Sequence, residues 1–332
     1  MGRFLAGLFA LLLPLGAAAL ATLWWFDDRF HAPGPLAEEI DIFVPSGTGV
    51  GGIALRLGAA GAIGDPRLFK IGVLIYGGER ALKAGEYRLG AHASARAVME
   101  QLIEGRVLAR RVTVREGLLS AEVVAMIEAT EALEGAVEEI PGDGALLPET
   151  YHFTRGDTRA GIMARMAEAM DGALAEMWPG RAENLPFDTP DQALVLASIV
   201  EKETGLATER PHIAGVFVNR LRKGMKLQSD PTVIYGLTVE NGPLGRALRR
   251  ADLDHDSLYN TYRIAGLPPA PIANPGREAI AAVLNPLATK DLYFVADGSG
   301  GHAFAETLAA HNRNVAKWRK HQRAAREKEA GQ

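Results

Sequence analysis

Apolar and polar positions are distributed unevenly along this chain, and their spacing divides it into parts. From Phe4 to Phe26 there are 23 residues without a charge. As a helix rising about 1.5 Å per residue, such a run covers about 34 Å, enough to cross a hydrocarbon core about 30 Å thick. Arg3 precedes the run, and Asp27 and Asp28 follow it. The positive-inside rule therefore keeps the N-terminus in the cytoplasm and exports the rest. Trp24, Trp25 and Phe26 stand where an interfacial aromatic belt belongs. A cleavable signal peptide is the rival reading, with Leu8–Leu15 as its apolar region and Ala19-Leu20-Ala21 as its cleavage site. The apolar run continues beyond that Ala box, which favours an uncleaved anchor.

After a linker containing HAPGPL (His31 to Leu36), the pattern changes to short alternating elements. Ile42–Val44 reads as the end of a strand, Ser46–Gly49 as a loop and Val50–Leu57 as a helix. Ala81–Leu89 reads as a turn and strand, and Ser94 opens a helix that stops near Gly105. The pattern Pro45-Ser46-Gly47, then Ile53–Leu57, then Gly61-Ala62-Ile63 resembles a LysM-like module, a fold often used on glycan chains. Val112–Val114 is a further strand. Ser120 is placed as the N-cap of a helix reaching Ala129, Leu146–Phe153 as an irregular segment, and Asp157–Met177 as a helix.

The clearest helix start is Thr189-Pro190-Asp191-Gln192: an N-cap, a proline in the first turn and a capping box. Seven of the eight residues from Ala193 to Val200 are apolar, so the helix is expected to be buried on nearly all sides. Glu201 is the first ionisable residue after that run and shares a face with Leu194, Ala197 and Ser198. Desolvation and the negative end of the helix dipole both disfavour its charged form, which suits a general acid. Glu203 points to the far side. The alternative is that both glutamates simply begin the solvated end of a helix.

Composition removes several function classes. The chain has 332 residues, 36 Lys+Arg against 40 Asp+Glu, a formal net charge of −4 and no cysteine. Thiol chemistry and Cys-ligated metals are excluded, and the slight acidity argues against a nucleic-acid binder. There is no phosphate-loop, GxSxG or HExxH motif and no metal-ligand spacing, so no cofactor and no metal are expected. Downstream of Glu201, short polar side chains cluster with aromatics on Pro/Gly-rich loops: Asn219, Gln228, Ser229, Asp230, Thr232, Tyr235, Tyr259, Asn260 and Tyr262. Amides and hydroxyls hydrogen-bond sugar OH groups, and rings stack on sugar faces. His302, in GGHAF, is either a further hydrogen-bonding group near the cleft or a structural loop histidine.

Six ordered strings carry a more specific signal. They are LASIVEKET (196–204), VFVNRL (216–221), LQSDPTVIYG (227–236), YNTY (259–262), GLPPAPIANPG (266–276) and LYFVADGSGGHAF (292–304). Together they resemble the YceG-like family, the membrane-anchored endolytic murein transglycosylases. That resemblance implies cleavage of the β-1,4 bond between N-acetylmuramic acid and N-acetylglucosamine inside peptidoglycan strands, leaving 1,6-anhydro-N-acetylmuramic acid ends. It carries the family's catalytic glutamate, in the IVEKET string, onto Glu201. Gln228, Ser229, Asp230 and Asn260 would then position substrate or orient Glu201, and Tyr235, Tyr259 and Tyr262 would flank the sugar. The string Leu147-Pro148-Glu149-Thr150-Tyr151 departs from the family's Phe-Pro-Asp-Thr-Tyr form, and the string after Tyr235 is shorter.

The expected architecture is α+β. It comprises a cytoplasmic N-terminus (1–3), a transmembrane anchor (4–26), a linker (27–39), a LysM-like module (40–108) and a mixed α/β catalytic domain with a mostly helical core (109–332). The expected location is the inner membrane of a bacterium, with the catalytic domain on the periplasmic side. Expected partners are peptidoglycan strands, the cytoplasmic membrane and the cell-wall synthesis machinery. Two other readings stay open: a hydrolytic muramidase in which Asp230 or Glu203 activates water, and a non-catalytic peptidoglycan-binding scaffold. The stretch Arg313–Lys328, with seven Lys/Arg, is read as a charged, solvated helix.

Overall fold

The computed structural model describes residues 2–77, 82–239 and 242–330, with side chains for 13–76, 82–239 and 242–324. The chain forms two compact units. The first holds residues 1–111 with the short returns 132–134 and 152–157. The second holds 112–131, 135–151 and 158–332.

The smaller unit begins with helix α1 (Gly2–His31). Asp27–His31, expected as linker, are thus helical, and Phe30 is fully buried. Among the described residues no helix is long and apolar enough to cross a membrane. The side chains of residues 4–12, part of the expected anchor, lie outside the described residues. Next come β1 (Ile40–Val44), α2 (Val50–Ala59), α3 (Pro66–Gly72), β2 (Gly85–Leu89) and α4 (Ala95–Glu104). β1 and β2 pair antiparallel, from Ile40 opposite Leu89 to Val44 opposite Gly85. Ser94 caps α4 through its side chain, and Gly105 closes it in the left-handed conformation, φ 73°. Phe30, Leu57, Phe69, Tyr87, Leu89 and Leu102 form the core. Phe30 lies against Gly72, where any side chain would collide with its ring. The position expected for Ala81 lies outside the described residues.

The chain passes between the units at β3 (Arg110–Thr113) and β4 (Thr150–Phe153). β4 replaces part of the irregular segment expected at Leu146–Phe153. Within the larger unit, α5 (Ser120–Glu128) starts one residue earlier than the sequence suggests. Leu119 is its N-cap, with its N–H bound by the Glu122 carboxylate, while Ser120 is buried and donates to the Gly142 carbonyl. α6 (Arg159–Met177) is capped by Thr158.

The central helix of the larger unit is α7 (Pro190–Glu203), which starts with the capping box of Thr189 and Gln192. All eight residues from Ala193 to Val200 are buried, as the continuous apolar run requires. α8 (Arg210–Arg222) and α10 (Arg277–Leu284) pack against α7. α9 (Asp230–Thr238) lies between them in sequence and carries Pro231 in its first turn. Its four-residue Asp-Pro-Thr-Val opening gave no helical periodicity to read. The hairpin β5 (Tyr293–Ala296) and β6 (His302–Ala305) and the terminal helix α11 (Leu308–Ala330) complete the unit. Ser198 donates to the Val195 carbonyl at 2.7 Å and accepts the Ile272 N–H at 3.0 Å. This anchors the Pro/Gly-rich loop 266–276 onto α7.

Candidate active site

The two glutamates at the end of α7 are two residues apart, about 200° around a helix, so they face opposite sides. Their surroundings differ accordingly. Glu201 is enclosed, with 4% of its side chain exposed. One carboxylate oxygen accepts from Arg210 Nη2 at 2.9 Å and the other from the Gly276 N–H at 2.9 Å. Arg210 also donates to Glu116 at 2.7 Å and to Glu278 at 2.6 Å. Burial pushes the Glu201 carboxyl above its ordinary range, against the pull of the Gly276 N–H and the Arg210 guanidinium. The sequence expectation was a carboxylate leaving the core among apolar neighbours. Instead, Glu201 joins α7 to α8 and to the start of α10, because α8 brings Arg210 against it. A side chain at Gly276 would push the Glu116 carboxylate away from Arg210.

Glu203 opens on a cavity of about 460 Å³, a size typical of small-ligand clefts. The walls come from five regions. Leu227, Gln228 and Asp230 lead into α9, Tyr262 lies beyond it, and the β5–β6 hairpin contributes Tyr293–Ala296 and His302. Arg220 of α8 and Leu308 and His311 of α11 complete the lining. The Ser229 hydroxyl donates to Glu203 Oε1 at 2.5 Å. Glu203's carboxyl is pushed up to about 7. Burial is the main cause and the Asp230 charge adds to it, while the Ser229 hydrogen bond, His302 and Arg220 oppose it.

The rest of the cleft is tightly tied. Ser229 is itself buried, and its N–H donates to Thr261 Oγ1 at 2.9 Å. Thr232 Oγ1 donates to the Ser229 carbonyl at 2.6 Å and lies 2.8 Å from Thr261 Oγ1. Gln228 has φ +52°, a left-handed conformation that costs a non-glycine residue about 1–3 kcal/mol and marks sites where function overrides local preference. Tyr262 donates to Asp230 Oδ1 at 2.6 Å, and burial with that bond raises its pKa. His302 is held by Glu209 through its ring Nδ1 at 2.7 Å and its backbone N–H at 2.9 Å. Arg220 donates from Nε to the Leu292 carbonyl at 2.6 Å and lies 5.2 Å from the centre of the Tyr293 ring.

Of the residues singled out in the sequence, Gln228, Asp230, Tyr262 and His302 meet around this cavity, and Ser229 reaches Glu203 from behind its wall. The others do not line it. Asn219 spends its amide on the carbonyls of Thr289 and Asp291 at 2.8 and 3.1 Å. Thr232 is buried within the threonine network. Tyr235 donates to Asp143 at 2.7 Å and meets Tyr259 edge-on, ring centres 4.7 Å apart. Asn260 is fully buried and binds the carbonyls of Leu253 and His255. Asn274, in the loop expected to serve a sugar cleft, is likewise internal, accepting from Gly144 and Leu146 at 3.0 Å each. Arg220 and the β5 residues, which no sequence expectation singled out, also line the cleft, and both lie inside the VFVNRL and LYFVADGSGGHAF strings.

Residues 42–317 match the YceG-like family. The chain belongs to the YceG-like family. An endolytic murein transglycosylase of Bacillus subtilis is similar at 30% identity over 310 residues, covering 84% of each chain. One of Streptococcus pneumoniae is 36% identical over 181 residues, covering 52% of this chain and 32% of its own length. Among solved structures, a yceG-like protein of Listeria monocytogenes aligns with TM-score 0.50 and 29% identity, covering 83% of this chain and 99% of that one. The YceG-like match spans both compact units and contains every residue that lines the Glu203 cleft.

Proposed function

We propose that this chain is a peptidoglycan lytic transglycosylase that cuts within glycan strands, and that Glu203, rather than Glu201, is its acid and base. The carrying observation is geometric: the Glu203 carboxyl lines the cleft, and burial there pushes it up to about 7. Glu201 has both oxygens committed inside the fold. Kinship with named endolytic murein transglycosylases supplies the substrate class.

In this reading protonated Glu203 gives its proton to the glycosidic oxygen as the bond from that oxygen to C1 of N-acetylmuramic acid breaks. The resulting carboxylate then takes the proton from the C6 hydroxyl of the same sugar while O6 bonds to C1. The products are an N-acetylglucosamine end with a free 4-hydroxyl and a 1,6-anhydro end, and Glu203 regains its proton. No water enters, so the second carboxylate that most glycosidases require has no obligatory task. A pKa near the working pH suits a group that must both give and accept a proton.

Asp230 on the same cleft wall favours one competing reaction, hydrolysis with Asp230 activating water. Mass spectrometry of digested strands separates them. Anhydro ends support the transglycosylase, and reducing muramic acid ends support the muramidase. Wild type that releases nothing while binding strands supports a scaffold. We also read Phe4–Phe26 as a membrane anchor that exports residues 27–332, supported by its uncharged sequence and the helical state of α1. Resistance to alkaline extraction, with the larger unit digested only by externally added protease, tests it. The order β1-α2-α3-β2 supports a LysM-like reading of the smaller unit.

A further inference from the structure

A second cavity of about 550 Å³ adjoins the Glu203 cleft, with Tyr262 in the wall of both. The chain itself runs from one to the other. Leu227 and Gln228 line the cleft and Lys226 lines the second cavity, while Tyr262 is followed directly by Arg263. The second lining is strongly basic, with Lys226, Arg250 and Arg263 facing one acid, Asp254. All three cationic residues are exposed. Among the described residues Lys226 and Arg250 have no carboxylate partner. Arg263 has only an exposed Asp256 at 3.6 Å and the Asp254 carbonyl at 3.3 Å. Nearby Asp252 is already spent, bound by two nitrogens of Arg246 at 2.6 and 2.9 Å and by the Arg249 N–H.

The shelf is also held in shape. Buried Asn260 bonds the carbonyls of Leu253 and His255, and its own carbonyl accepts the Arg263 N–H at 2.9 Å. It therefore joins the two segments that carry Arg250 and Arg263. This gives Asn260 a task in the site without contact with the sugar.

We propose that this basic cavity is the subsite for the carboxylate-bearing peptide stem of the muramoyl residue, so that the enzyme selects strands whose peptides are still attached. The proposal rests on the transglycosylase reading. A stem leaves the sugar ring through its lactyl ether and projects beyond the glycan axis, so recognition of the free carboxylates further along it requires cations set to one side of the cleft. Three cations beside a glycan cleft, with one acid among them, meet that requirement. Guanidinium groups suit carboxylates in particular.

The test uses the full-length protein in detergent with two substrates: peptide-bearing strands and the same strands stripped of stems by an amidase. The readout is the ratio of kcat/KM for the first over the second. Replacing the three cations together (Lys226→Gln, Arg250→Gln, Arg263→Gln) is expected to lower that ratio about 10-fold, from roughly three partly exposed ion pairs. Added salt is expected to lower the wild-type ratio in the same direction. A ratio that stays within about 2-fold in the variant, given pairs of that worth, overturns the subsite. So does a wild-type enzyme that prefers stripped strands, which leaves the transglycosylase reading intact. A wild-type enzyme that cleaves neither substrate overturns that reading and the subsite with it.

Discussion

Replacing Glu203 by Gln should abolish cleavage and stabilise the protein at the same time, and the second effect has a definite pH dependence. The carboxyl ordinarily titrates near 4.5 and is pushed up to about 7 in the folded chain. Between those values the folded chain holds a proton that the unfolded chain has released. The group's contribution to stability is therefore complete below pH 4.5 and is lost as pH rises through 7. A shift from 4.5 to about 7 corresponds to about 3 kcal/mol at pH 8. Gln is neutral at every pH and its carbonyl can still accept the Ser229 hydroxyl. The variant should match wild type near pH 4, gain about 2 kcal/mol at pH 6 and gain about 3 kcal/mol at pH 8. At about 2–4 °C per kcal/mol, the last figure is a rise in Tm of about 6–12 °C. Thermal melts of both proteins across that range measure it, and fragment release from purified sacculi should fall about 10²- to 10⁴-fold. A variant less stable than wild type at pH 8, an offset that does not change with pH, or cleavage at the wild-type rate would each refute the reasoning.

The neighbouring positions carry further expectations. Glu201→Gln should keep cleavage within about 10-fold of wild type, since the positioned acid itself, worth about 10²- to 10⁴-fold, remains; loss comparable to that of Glu203→Gln returns the assignment to Glu201. Ser229→Ala removes a hydrogen bond that holds Glu203's pKa down. The alkaline fall of kcat, where the acid loses its proton, should therefore move up by about 1 pH unit; an unchanged profile shows that the hydroxyl does not act through Glu203. Arg210→Met leaves Glu201, Glu116 and Glu278 without their shared cation and should cost about 3–5 kcal/mol in denaturant unfolding. Asn274→Ala strands buried N–H groups of Gly144 and Leu146 and should cost about 2–4 kcal/mol by the same measurement, as the price of unsatisfied donors.

Much of the fold follows from local signals. The capping box at Thr189–Gln192, the Ser94 cap with Gly105 and the continuous apolar run of α7 each depend on residues within a few positions of one another. The structure forms each of them there. The errors fall where distant residues compete. Ser120 looked like a cap, but the Gly142 carbonyl and Asn274 claim its side chain. Leu146–Phe153 looked irregular because a four-residue strand gives too short an alternation to detect. Asn219, Thr232 and Asn260 looked available to a sugar because sequence shows a side chain's capacity to bond and not whether carbonyls already use it.

The order of residues along the chain was enough to identify the family, through six ordered strings, and it pointed to Glu201 as the expected acid, two residues from the Glu203 that lines the cleft. It also determined that the two carboxylates face opposite ways, because the helical repeat is a local property. Which one meets the cleft was decided only in three dimensions. Arg210 arrives from α8 to close one side, while Ser229, Tyr262 and the β5–β6 hairpin build a cavity on the other. A carboxyl group's proton affinity depends on the charges, donors and solvent within a few ångströms. For Glu203 those neighbours come from positions 220 to 302, a range that no inspection of its own helix could include.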